Sequence, residues 1–76
     1  MPYNIKVIVQ RNGRPISGAR VTVEAEGLTA GMSSPATTNS SGQAICVVHS
    51  SRRGTVYVNG TRYGSVNAAQ DNLINL

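Results

Sequence analysis

The sequence predicts an all-β fold, a small antiparallel β-sandwich of about seven short strands. Three observations carry this. Val, Ile and Thr supply 20 of the 76 residues, whereas Glu, Lys, Leu, Met and Gln together supply 11, a balance that favours pleated strands over helices. Gly, Ser, Asn and Pro add 26 more, the punctuation of many short strands. Apolar residues recur with period two in several separate stretches. One domain, residues 1–76, is expected, because cores divide only in far longer chains.

From Tyr3 to Arg11 the residues Tyr3, Ile5, Val7 and Val9 share one face and Asn4, Lys6, Ile8 and Gln10 the other, which defines the first strand. Asn12-Gly13-Arg14-Pro15 breaks it, since Asn-Gly accepts positive φ and proline lacks the ladder N–H. Ala19, Val21, Val23 and Ala25 then alternate with Arg20, Thr22, Glu24 and Glu26 in a second strand. Gly27 to Pro35 follows neither period and reads as a long loop. Ala36 to Asn39 is a short strand, Ser40-Ser41-Gly42 a turn, and Gln43 to His49 a strand whose Ile45-Cys46-Val47-Val48 run suggests burial on both faces. After a turn over Ser50 to Gly54, Thr55–Asn59 and Thr61–Val66 flank Asn59-Gly60, a type I′ hairpin signal. Asn67 to Asp71 has the length of one helical turn, and Asn72 to Leu76 forms a last strand with Leu73 and Ile74 or Leu76 inward. Val7, Val9, Val21, Val23, Ala44, Val48, Val56 and Val58 are expected to face one core.

The net charge of +4 and a pI near 10.0 are modestly basic, without a polyionic tail. The first ten residues alternate rather than form a signal-like apolar run, and no stretch reaches the length of a membrane span. A lone cysteine, Cys46, leans toward a cytoplasmic setting and excludes an intrachain disulfide. With one His and one Cys, no zinc site and no cofactor are expected. A core this small and without Phe or Trp is marginal on its own, so a partner chain is the expected supplement.

Three stretches carry a family likeness: Gly13-Arg14-Pro15-Ile16-Ser17-Gly18-Ala19-Arg20-Val21-Thr22-Val23, Thr37-Thr38-Asn39-Ser40-Ser41-Gly42-Gln43-Ala44 and Gly54-Thr55-Val56-Tyr57-Val58-Asn59-Gly60. Together they resemble the carboxypeptidase regulatory-domain-like group of transthyretin-like β-sandwiches, with bacterial immunoglobulin-like repeats as architectural relatives. The resemblance implies a seven-stranded accessory or adhesive module without catalytic residues. It departs from the family at Gly54, where an aromatic residue is expected. Transthyretin-like hydroxyisourate hydrolases end in Tyr-Arg-Gly-Ser, whereas Arg62-Tyr63-Gly64-Ser65 here is permuted and internal.

Chemistry-bearing residues are few. Cys46 and His49 differ by an odd number on one strand and point to opposite faces, which excludes a local Cys-His pair. Glu24 and Glu26 lie roughly 7 Å apart on one strand face, where a solvated face explains them better than paired catalysis does. Gly27 to Ser34 lacks the Gly-Lys-Ser/Thr ending of a phosphate loop. The turn Ser50, Ser51, Arg52 and Arg53 combines two hydroxyls with two guanidiniums and is a possible anion contact. Leu73, Ile74 and Leu76 are the candidate self-association interface.

The function expected is therefore a non-catalytic structural or protein-interaction subunit that self-associates, with another protein partner as the variant of that reading. The alternative is a small basic nucleic-acid- or anion-binding β protein, in which Tyr3, Tyr57 and Tyr63 stack on bases while arginines contact phosphates. Arg14, Arg20, Arg52, Arg53 and Arg62 are spread along the sequence, which weakens it. A hydrolase with a site formed across an oligomer interface is the third and weakest reading.

Overall fold

The computed structural model describes residues 3–25, 33, 35–49 and 52–76. They form eight strands: β1 (Tyr3–Arg11), β2 (Arg14–Pro15), β3 (Arg20–Ala25), β4 (Ala36–Thr37), β5 (Gln43–Val48), β6 (Arg53–Val58), β7 (Thr61–Asn67) and β8 (Asn72–Asn75). Two four-stranded sheets face each other. In the first, β1 pairs with β5 and β2 along one edge and with β8 along the other. In the second the order is β4-β3-β6-β7. All pairs are antiparallel except β1 with β8, which runs parallel and joins the beginning of the described chain to its end.

The alternation expected from sequence packs the space between the sheets. Ile5, Val7, Val9, Val21, Val23 and Val56 are fully buried, and Ala44, Val48 and Val58 nearly so. Cys46, Val66 and Ile74 complete the layer. One close approach lies within the second sheet. A Cβ on Gly54 would lie 2.5 Å from the Glu24 carbonyl oxygen and 2.7 Å from Val23 Cγ1. This inward position opposite Ala25 and Val66 therefore has no room for the aromatic residue of the family pattern.

Several local expectations are corrected. Asn12-Gly13 is a hairpin rather than a break: both residues have positive φ, 52° and 78°, and β2 returns along β1 with Arg11 opposite Arg14. Pro15 fits because Ile16 N–H, one residue on, donates to the Val9 carbonyl at 2.9 Å, while Pro15 occupies the intervening position where no donor toward β1 is needed. Asn59-Gly60 repeats the geometry, with φ of 52° and 85°. β6 begins at Arg53 rather than Thr55, because Arg53 and Gly54 are in register with Asn67 and Val66. Between β7 and β8 the chain makes one turn at residues 68 and 69, where Gln70 N–H reaches the Asn67 carbonyl at 3.4 Å.

Asn72 organises that last connection. The two hydrogens of its Nδ2 are shared among the carbonyls of Lys6 (2.9 Å), Asn67 (2.9 Å) and Gln70 (3.1 Å), while its Oδ1 accepts from Asn67 N–H at 3.0 Å. The side chain is 5% exposed. One buried amide thus ties the crossover to β1 and satisfies groups that would otherwise be orphaned. Thr38 plays a similar part at the other end, accepting from Ala19 N–H and donating to the Ile16 carbonyl.

Candidate functional site

The two outer faces of the sandwich differ in chemistry. On the first sheet, Asn4, Lys6, Ile8 and Gln10 of β1 point outward, in register with Val47, Ile45, Gln43 and the β8 residues Leu73 and Asn75. Ile45 is 57% exposed, Leu73 53% and Val47 42%, and Ile8 is half-buried between its neighbours. This corrects the expectation that the Ile45–Val48 run is buried on both faces. Only Cys46 and Val48 face the core, because β5 is covered on one side alone. Lys6 is the charge on this face; its Nζ lies 4.0 Å from Asp71 Oδ1, a solvated pair of little energetic weight.

The outer face of the second sheet is polar and basic. Arg20, Thr22 and Glu24 of β3, Thr55 and Tyr57 of β6, and Arg62 and Ser65 of β7 occupy it. Tyr57 stands opposite both Thr22 and Arg62, with Arg20 as a diagonal neighbour. Residues far apart in sequence are thereby gathered, which no local spacing could reveal. A register shift between Val56 and Tyr57 makes room for Tyr63 as an extra residue in β7. Arg20 is held at the strand end by Asn59, whose Oδ1 accepts from Arg20 N–H at 3.0 Å and whose N–H donates to the Arg20 carbonyl at 2.8 Å. A shallow hollow lined by Arg20, Thr22, Pro35, Asn59 and Gly60 adjoins this corner.

The turn expected as an anion contact, Ser50 to Arg53, is described only in part. Ser50 and Ser51 lie outside the described residues. Arg52 precedes β6, and its carbonyl accepts from Ala68 N–H at 2.8 Å. Arg53 is the first strand residue, beside Ser65, Asn67 and Gln70 in a second shallow hollow. Of the three C-terminal residues, Leu73 is exposed, whereas Ile74 is buried in the chain's own core and Leu76 packs against it.

Cys46 and His49 separate as their spacing requires: the thiol is buried, 1% exposed, and His49 is exposed. Burial pushes the Cys46 thiol up from its ordinary value, an effect partly opposed by a side-chain hydrogen bond with Ser33. Its Sγ–H also donates to the Val21 carbonyl at 3.6 Å. A neutral, enclosed thiol of this kind is a packing group and a poor nucleophile. Glu24 is exposed on the outer face, and Glu26 lies outside the described residues. Among the described residues no group of three possible metal ligands comes together, and no helix is long and apolar enough to cross a membrane.

No protein-family model, curated protein or solved structure matches the chain.

Proposed function

We propose that this chain is a non-catalytic structural or protein-interaction subunit that works as a homo-oligomer in a reducing, cytoplasmic setting. The observation that carries the reading is the β5 margin of the first sheet, where Ile45 and Val47 stand exposed although the core between the sheets is already filled. Two neighbouring apolar side chains exposed on a strand that pairs on one side only among the described residues mark an interaction surface on so small a body. The likeness to transthyretin-like accessory modules belongs to the same reading, since those modules act by contact rather than by chemistry. Sedimentation velocity from low to high micromolar protein is the test. A mass rising above 8.0 kDa, with a melting temperature that climbs with concentration, is expected. A monomer with a concentration-independent melt refutes self-association.

A second reading, polyanion binding, is favoured by one observation: Tyr57 is bracketed by Arg20 and Arg62 on an open sheet face. Aromatic and guanidinium groups on such a face suit single-stranded nucleic acid. Affinity for a mixed-sequence single-stranded oligonucleotide then falls steeply with salt, and Arg20→Ser with Arg62→Ser flattens the log–log salt slope by about 1.4, at roughly 0.7 per phosphate contact. Absence of binding at low salt removes this reading.

A further inference from the structure

We infer that the chain pairs with a second copy of itself through the edge of β5 that no described strand pairs with, antiparallel across a two-fold axis that passes beside Cys46. This rests on the self-association proposed above and names the surface that performs it.

The direction of the β5 backbone follows from the ladder. Val9 N–H donates to the Gly42 carbonyl on the β5 side of β1, whereas the Lys6 and Gln10 carbonyls accept from Asn72 and Leu76 on the β8 side. The odd-numbered residues of β1 therefore direct their main-chain groups toward β5, and with Ile5 opposite Cys46 the even-numbered residues of β5 answer them. Gln43, Ile45 and Val47 must direct theirs the other way. Asn39 occupies those of Gln43, through its own N–H and its Oδ1. Ile45 and Val47 remain, and among the described residues no strand pairs with them.

The other edges are protected. β2 carries Arg14 and Pro15; β4 has two residues and follows Pro35. β7 bears Arg62 and a register shift at Tyr63. β8 has four residues and begins and ends with asparagine. β5 has six residues, no charge, no proline and an unbroken register. Charge, proline and bulges are the devices that keep sheet edges from pairing, and β5 has none of them.

The register chooses a second copy as the occupant. Centring the axis on Cys46 sets Ile45 opposite Val47 of the second copy and Val47 opposite Ile45, so both unpaired residues on each chain are satisfied by four main-chain hydrogen bonds. On the outer face the same register makes two apolar cross-strand pairs. Centring on Ile45 would face Val47 with Gln43, whose groups are taken. Like charge does not oppose the contact: the nearest cation, Lys6, is one strand removed on each side, so the two lysines are about three strand spacings, ~14 Å, apart, beyond the ~8 Å screening length. An edge about 20 Å long on a body 17 Å across its thinnest dimension covers a few hundred Å² per copy. That is below the ~800 Å² per partner of a standard interface, so the dimer is reversible and micromolar. Two-fold pairing closes the assembly at two chains.

The test compares Ile45→Lys and Val47→Lys with Leu73→Lys, three exposed outward positions on one face. Each substitution leaves the monomer's core untouched, which circular dichroism verifies. The first two are expected to weaken dimerisation at least ten-fold in sedimentation, and Leu73→Lys to leave it unchanged. Amide exchange at Ile45 and Val47 in the native protein is expected to slow with concentration, and that at Leu73 and Asn75 to stay constant. If Leu73→Lys dissociates the assembly and the β5 variants do not, self-association stands and its placement at β5 is overturned. If the native protein is monomeric at high micromolar concentration, both fall together.

Discussion

Val21→Asp is expected to abolish folding. Val21 is fully buried in β3, opposite Val58 and Ala36, and the cluster around it is apolar throughout. A carboxylate there has no cation to pair with and loses its hydration, which costs several kcal/mol even after relaxation. Stability of a domain this size is itself about 4–11 kcal/mol, at roughly 0.05–0.15 kcal/mol per residue. The expected outcome is a far-UV spectrum without strand signal and no cooperative melt. Val21→Thr, nearly the same shape, should remain folded with a lowered midpoint. A soluble Val21→Asp protein that melts cooperatively would contradict the inward placement of the β3 valines.

Asn72→Leu, which keeps the number and branching of side-chain heavy atoms but removes the amide, is expected to destabilise the fold by about 2–4 kcal/mol. The amide serves the carbonyls of Lys6, Asn67 and Gln70 and the N–H of Asn67. Losing it leaves partly buried groups unsatisfied, at about 1–3 kcal/mol for each that water cannot reach. For a domain of this length that corresponds to roughly 10–25 °C in melting temperature. Denaturant titration reads it directly; a loss below about 0.5 kcal/mol would mean that water replaces the amide without penalty. The same geometry explains why removing residues 72–76 is a poor test of assembly. Ile74 belongs to the chain's own core, so truncation after Asp71 weakens the monomer whether or not it associates.

Much of this fold was legible in the sequence because its signals are local. Alternating valines in Ile5–Val9, Val21–Ala25 and Val56–Val58 fix which side of each strand is buried, and the core residues expected from them are buried. Asn59-Gly60 named its hairpin. The identical Asn12-Gly13 was harder to read because Pro15 argues against a strand unless its position on the ladder is known. Other features are properties of topology. Ile45-Cys46-Val47-Val48 has the same letters whether one face or both are covered, so its exposed half appears only once β5 is seen at a sheet edge. The grouping of Arg20, Tyr57 and Arg62 depends on strand register, and the parallel return of β8 depends on a crossover held by Asn72. The candidate C-terminal interface mixed residues of different fates for the same reason: Leu73 faces out and Ile74 faces in.

The parallel pairing of β1 with β8 has a mechanical consequence. Tyr3 opens β1 and Leu76 follows β8, so tension applied at these two residues draws the two strands past each other along their length. The bonds that resist this, from Leu76 N–H to the Gln10 carbonyl, from Asn72 Nδ2 to the Lys6 carbonyl and from Gln10 Nε2 to Asn75 Oδ1, lie side by side and are loaded together. A hairpin such as β6–β7, pulled at its open end, parts one rung at a time. Held by its ends, this sandwich meets traction in shear, where the whole seam must yield at once.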